Sequence, residues 1–485
     1  MSAALNGLEP QLVWKYFGEI AGIPRGSGNE KQIAAYVMGV AKGLGLEAKQ
    51  DKFGNVVIRK PAAAGREQAP MICLQGHLDM VNEKNKDKTH NFLKDPIELV
   101  RKGNVLMANG TTLGADNGIA VAAGLAIMAD KSIQHGPLEF LFTVDEETGL
   151  TGAKNLQPGF IQSKTLMNLD SEEEGSLYVG CSGGRDTVGT WKAAFDNTPA
   201  GHTAILVTVV GLKGGHSGLE IDKGRGNSLK IINRVLMALD QLGGRVSSIQ
   251  GGNKRNAIPR EAEAVVYVPA KKLLKALATV EELNDVLRAE ISTVDPELRV
   301  SAEQLQSKKK AKVFKKTLQA QILRTLAGLP HGVVKMSADI PGLVETSANL
   351  AIVKTSASKI EIITTQRSSV TSEIEEIKHT FGAIMELGGA KVKYSAGYPG
   401  WKPNLNSNIL KSAKSTYQSM FGKEPEIKAI HAGLECGIIG EKYPGMDMVS
   451  FGPTLADVHS PDEKLYIDTV DKFWNFLLGM LKAAR

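Results

Sequence analysis

Cysteine is the scarcest residue in this 485-residue chain, present only as Cys73, Cys181 and Cys436. The three form no Cys-x-x-Cys pair and no disulfide framework, which excludes a stapled secreted scaffold. Cys73 lies in an apolar, strand-like run, where a buried thiol is expected. Few, unpaired cysteines fit a reducing compartment, so a cytoplasmic protein is expected. Apolar runs approaching the ~20 residues that span a bilayer are missing. Residues 1–9 lack a basic region followed by an apolar stretch, so no signal peptide is expected. Charge of one sign is also in short supply, because 58 Lys and Arg against 52 Asp and Glu leave a formal +6. The densest basic run, Lys308-Lys309-Lys310 with Lys312, Lys315 and Lys316, reads as a solvated helix face. Phe314 is the one aromatic residue within it, and with so weak a charge balance no nucleic-acid surface is expected.

Hydrophobic residues at 42% and charged residues at 23% are ordinary for a globular protein. The length argues for two domains. Apolar positions at helical spacing predict helices over 11–20 and 30–44, the second capped by Asn29. Short apolar runs at 71–75, 138–144, 165–169 and 446–451, alternating with helical stretches, predict an α/β fold with a central sheet flanked by helices. Residues 118–128 are apolar almost all round, as in a buried helix. The middle of the chain reads differently: strands at 203–211 and 358–367, with helices over 228–242, 271–292, 303–327 and 373–387.

Five candidate metal ligands are scattered along this framework: His77, Asp116, Glu147, Asp170 and His459. Two imidazoles and three carboxylates suit a pair of divalent cations, with one carboxylate bridging. His77, Glu147 and Asp170 follow or close predicted strands, where sites form in open α/β sheets. Asp79 can hold the second ring nitrogen of His77. An isolated His-x-Asp triplet is more often structural, and only the company of other ligands reverses that. Asp145-Glu146-Glu147 ends an apolar strand and precedes a turn, so three adjacent carboxylates need compensation. One glutamate can bind metal while its neighbour takes a proton from water. Spacing alone leaves the order open, and Glu147 is assigned as ligand and Glu146 as base. Asp116 opens the apolar helix, where it would also serve as an ordinary N-cap. The run Glu172-Glu173-Glu174 reads as solvated.

No ligand falls between Asp170 and His459, which points to an inserted α+β domain. The boundaries are expected at 1–199 and 399–485 for the catalytic domain and 200–398 for the insert, where Pro and Gly mark chain reversals. Within the insert, Gly214-Gly215-His216-Ser217-Gly218 places a histidine on an unencumbered backbone. Arg367 is a natural fork for a carboxylate.

Taken in order, HLDM, TTLGADNG, DEETG, NLDSEEEG, GGHSG, NAIPR, HAGLECG and VHSPDE resemble the aminoacyl-histidine dipeptidase branch of the di-zinc aminoacylase and carboxypeptidase G-like exopeptidases. The resemblance implies a zinc-exopeptidase catalytic domain and an inserted lid that carries a homodimer contact. It implies two Zn2+ ions, with Co2+ or Mn2+ as substitutes. His77 and Asp170 would hold one ion, Glu147 and His459 the other, and Asp116 would bridge them. Asp79 would orient His77, and Glu146 would be the general base. His216, in its own subunit or across a dimer, would stabilise the substrate carbonyl, with Asn256 and Arg367 as polar contacts. Glu435, where many relatives carry a Gly-Gly-Gly-Thr turn, is expected to face the α-amino group of a dipeptide, although a structural carboxylate fits as well. The activity implied is hydrolysis of dipeptides, preferentially Xaa-His. The alternatives are an N-acyl amino acid amidohydrolase or a tripeptide aminopeptidase. A degenerate binding protein would have lost a ligand or the base, and none is lost.

Overall fold

The computed structural model describes residues 2–306 and 311–484. The chain divides into two units, one of Met1–Gly180, Pro403–Ala429 and Leu434–Arg485, the other of Cys181–Lys402 and Ile430–Gly433. The expected division at 200 and 398 therefore falls instead at 181 and 402. Strand Gly183–Lys192 pairs along its whole length with Lys359–Ser368, which ties it to the second unit.

The first unit is built on an eight-stranded sheet. Edge to edge its strands are Glu47–Gln50, Val56–Lys60, Leu138–Thr143, Ile72–His77, Thr165–Asn168, Asp447–Ser450, Ser176–Cys181 and Glu426–Ile430. The middle strands Leu138–Thr143, Ile72–His77, Thr165–Asn168 and Asp447–Ser450 run parallel, and the first two are buried throughout. That is the burial of a sheet covered on both faces, and it explains their uninterrupted apolar character. Helix Ala115–Ala129, buried over nearly all its surface, packs on strand Ile72–His77 and on helix Gln11–Ala21. Helix Lys31–Gly43 is not capped by Asn29. Glu30 stands at the N-cap, and its carboxylate turns back to accept the Gly28 and Asp145 N–H groups at 2.8 and 3.0 Å.

The second unit carries a sheet that is antiparallel throughout its described pairings. Helices Ser228–Gln241, Leu273–Ile291, Lys316–Gly328 and Thr371–Leu387 share its apolar core. Helix Ser228–Gln241 begins where the Asn227 side chain accepts the N–H groups of Leu229 and Lys230. The helix expected over 303–327 is shorter. Strand Arg299–Gln304 and bridge Val313–Phe314 occupy its first part, and the helix starts at Lys316. Phe314 and Val313 are fully buried in strand pairing, which overrides the helical propensity of the lysines around them. Lys308-Lys309-Lys310 lies outside the described residues. Among the described residues no helix is long and apolar enough to cross a membrane.

Candidate metal centre

The parallel strands deliver the first unit's candidate ligands to one end of the sheet. His77 is the last residue of its strand, and Asp170 follows Asn168 by two. Glu146 and Glu147 open a one-turn helix after Leu138–Thr143, reached through Asp145 in the left-handed region (φ 52). Asp116 lies in the first turn of Ala115–Ala129 but with non-helical backbone (φ −78, ψ 109) and a cis peptide to Asn117. His459 sits in the loop between Leu455–Ala456 and Lys464–Tyr466, also left-handed (φ 60).

These side chains converge. His77 Nε2 is 3.0 Å from Asp116 Oδ1 and 3.3 Å from Asp170 Oδ1. His459 Nε2 is 3.1 Å from Asp116 Oδ2 and 2.9 Å from Glu147 Oε2. Asp116 is thus shared by two clusters, one oxygen to each. Glu146 groups with His77 and Glu147, their donor atoms all within 4.8 Å.

Asp79 contacts more than the His77 imidazole. Its carbonyl oxygen is 3.2 Å from His77 Nδ1, and its carboxylate Oδ1 is 3.5 Å away. The same carboxylate accepts the N–H groups of Glu146 (3.1 Å) and Glu147 (3.2 Å) and the Ser27 hydroxyl (2.8 Å). Against its burial, these bonds and His77 hold its pKa down at about 2.

Burial pushes Asp170 up to about 6, Glu147 upward and Glu146 well upward, with neighbouring carboxylates adding to each. Asp116 and Glu147 drive His459 up to about 11. His77, despite burial, is pushed well up by Asp170, Asp116 and Asp79. A cluster that retains protons in this way has excess negative charge and too few cations to balance it. Glu147 Oε1 is, in addition, buried with no hydrogen-bond partner. Two imidazoles and three carboxylates with an orphaned oxygen fit divalent cations of the zinc type.

Several supporting residues were given no role from the sequence, although Asn117 and Glu463 fall within the TTLGADNG and VHSPDE motifs. Asn117 accepts the His77 N–H at 3.3 Å and donates to the Leu169 carbonyl at 2.9 Å, tying two ligand-bearing strands together. Arg25 and Glu463 are both buried and bond to the backbone beside His77 and Asp116. Glu435, expected on the substrate, is fully buried. Its Oε2 accepts from Gln75 Nε2 and the Thr143 hydroxyl, both at 2.6 Å, while Oε1 is buried without a partner. Its place at the start of helix Glu435–Lys442, turned toward the sheet, explains that burial. Of the acidic run, only Glu172 is exposed; Glu173 pairs with Lys428 at 2.7 Å and Glu174 accepts from the Tyr417 hydroxyl at 2.7 Å.

The second unit holds His216, Arg367 and Asn256. His216 Nδ1 accepts the Gly218 and Leu219 N–H groups at 3.2 and 3.0 Å, so its neutral ring carries the proton on Nε2. Burial and Arg367 lower its pKa to about 4. Arg367 Nη2 stands 3.4 Å from that Nε2, and Nη1 donates to the Tyr398 hydroxyl at 2.9 Å. Asn256 is exposed, its carbonyl accepting the Ser217 N–H at 2.9 Å.

The profile of Peptidase family M20/M25/M40 matches residues 73–483. Over 479 residues the chain is 42% identical to the cytosol non-specific dipeptidase of Escherichia coli (strain K12), covering 99% of this chain and 98% of that protein. The crystal structure of aminoacylhistidine dipeptidase from Vibrio alginolyticus matches with a TM-score of 0.91 at 41% identity, covering 99% of this chain and 98% of that one. Aminopeptidase PepT from Bacillus cereus matches with a TM-score of 0.62 at 17% identity, over 98% of this chain and 99% of that one. That last likeness is one of fold.

Proposed function

The chain belongs to peptidase family M20/M25/M40, and from that premise we propose that it is a cytosolic, metal-dependent dipeptidase, with Xaa-His dipeptides among its preferred substrates. The observation that carries the reading is Asp116, whose two oxygens face two separate imidazole–carboxylate clusters. His77 and Asp170 would hold one divalent cation and Glu147 and His459 the other, with Asp116 shared between the two groups. Zn2+ suits this donor set, with Co2+ or Mn2+ as substitutes. When bound, such a pair supplies Lewis acidity toward a peptide carbonyl and acidifies water.

The chain's own groups do the rest. Asp79 keeps the His77 proton on Nδ1, which leaves Nε2 free to face the carboxylates. Glu146 accepts a proton from the attacking water on its carboxylate and returns it to the leaving amine. His216 Nε2–H and Arg367 Nη2 are both donors, and two donors 3.4 Å apart are reconciled by an acceptor that both can reach. We assign that acceptor to the substrate's carbonyl or carboxylate oxygens, with Asn256 as a further polar contact. The second unit is also assigned the homodimer contact, which sedimentation would test.

An N-acyl amino acid amidohydrolase or tripeptide aminopeptidase is not favoured, since the Escherichia coli and Vibrio alginolyticus relatives, each above 40% identical over nearly the whole chain, are dipeptidases. The test is release of free histidine from a panel of Xaa-His dipeptides, β-Ala-His included, by zinc-loaded and chelator-stripped protein. Cleavage that stops on chelation and returns with Zn2+ is expected. Silence across the panel from protein with zinc bound would move the substrate to acylated amino acids or longer peptides.

A further inference from the structure

Two buried charges that take no part in the proposed chemistry grip the turn presenting Asp116. On one side the Glu463 carboxylate accepts four consecutive backbone N–H groups. Oε2 takes those of Leu113 (2.7 Å) and Gly114 (2.9 Å), and Oε1 those of Ala115 (2.8 Å) and Asp116 (3.3 Å). On the other side Arg25 Nη2 donates to the Gly114 carbonyl, while Nη1 donates to the carbonyls of Leu78 (3.0 Å) and Asp79 (2.8 Å). Glu463 is 2% exposed and Arg25 3%. Two glycines make room for the guanidinium: a Cβ at Gly114 would stand 2.5 Å from Nη2, and one at Gly118 2.6 Å. The Gly-Ala-Asp-Asn-Gly motif thus flanks Asp116 with the two positions where Arg25 tolerates no side chain.

A helix N-terminus is ordinarily capped by a residue of its own first turn. Here the cap comes from a residue almost 350 positions away, four after His459 on the same loop, whose N–H bonds back to the Ser460 carbonyl at 3.1 Å. Glu463 therefore couples Asp116 to the loop that carries His459, and Arg25 couples Asp116 to the strand end that carries His77. Each of the two clusters sharing Asp116 has its own tie. We propose that Glu463 is a positioning residue that keeps Asp116 in register with His459, so that its loss selectively weakens one of the two cation sites.

This inference rests on the two-cation reading, and one experiment separates their failures. Chelator-stripped wild type, Glu463→Gln and Glu463→Asp are titrated with Zn2+ alone against a chromophoric chelator and melted with and without Zn2+. Wild type is expected to take two ions tightly. The Gln variant is expected to keep one with unchanged affinity and to bind the other roughly 10–100-fold more weakly, the usual effect of losing a residue that orients a ligand. If the Gln variant does not fold, the Asp variant, which keeps the charge but shortens its reach, carries the same expectation. Two unchanged affinities in a folded variant, whatever its melting temperature, would overturn the positioning role and leave the metal site standing, as would an equal weakening of both. Wild type that takes up no zinc would sink the metal site and this inference together.

Discussion

Glu146 and Glu147 are adjacent and chemically identical, yet their surroundings give them different work. Glu147 lies 2.9 Å from His459, with its second oxygen buried and unpartnered. Glu146 has no such imidazole contact and is the more strongly pushed toward its protonated form. Glu146→Ala should therefore keep its zinc while kcat falls by roughly 10²–10⁴-fold, the value of one positioned acid/base. Metal analysis beside steady-state kinetics checks both halves, and an active variant would move the base elsewhere. Glu435 calls for a different test. Burial pushes its pKa up to about 7, against the Thr143 hydroxyl that lowers it. A carboxyl whose folded pKa is raised contributes stability below its unfolded value of 4.5 and loses it as pH rises through about 7. In chelator-stripped protein, Glu435→Gln should flatten that loss, worth at most about 3 kcal/mol, while KM for dipeptides stays unchanged. A raised KM would restore its role as the partner of the substrate amine. The convergence of the candidate ligands was legible because His, Asp and Glu at strand ends carry chemistry in their type. The roles of Arg25, Asn117 and Glu463 were not, even though the last two stand within the TTLGADNG and VHSPDE motifs, because those roles consist of backbone contacts made across tens to hundreds of residues.

Elements followed the same rule of local against distant cause. Helices at 11–21, 31–43 and 228–241 and the strands at 72–77, 138–143 and 165–168 lie within a residue or two of their predicted bounds, since each is written in its own periodicity. The exceptions were decided from outside. Strand pairing of Val313 and Phe314 displaced the start of one helix, and Glu30, drawn to the Asp145 N–H, displaced Asn29 as a cap. Strand order was not legible either. The neighbours of Ile72–His77 come from residues 138–143 and 165–168, and Asp447–Ser450 returns from nearly 280 residues further on to lie beside Thr165–Asn168. That return completes the site, because it brings the His459 loop, which follows it, to Asp116. The apolar run at 446–451 announced a strand, but nothing in it named its partner.

At the scale of the molecule, the two units should respond to acid in opposite directions. In the second unit, burial lowers His216 and His331 to about 4 and His431 to about 3, with Arg367 lowering the first and last further. Their unfolded value is 6.5, so the unfolded chain takes up protons first. The stability these neutral rings contribute is present above pH 6.5 and is lost as pH falls through 4 toward 3, at full burial up to about 3 kcal/mol each for His216 and His331 and about 5 kcal/mol for His431. In the first unit, without metal, Asp170 is raised to about 6 and Glu435 to about 7. Their contribution is present below their unfolded values of 3.8 and 4.5 and is lost as pH rises through the folded ones. Between pH 4 and 6.5 the slopes therefore have opposite sign. Hydrogen exchange of chelator-stripped protein, corrected for intrinsic rates, should show peptides from 181–402 losing protection as pH is lowered while those around 72–77 and 165–170 gain it. Loading with Zn2+ should reverse the first unit's slope, because ligands must shed protons to bind a cation, and leave that of the second unchanged. Parallel slopes in the stripped protein would mean that the carboxylates of the first unit are already balanced by charge, which would remove the electrostatic case for a cation site there.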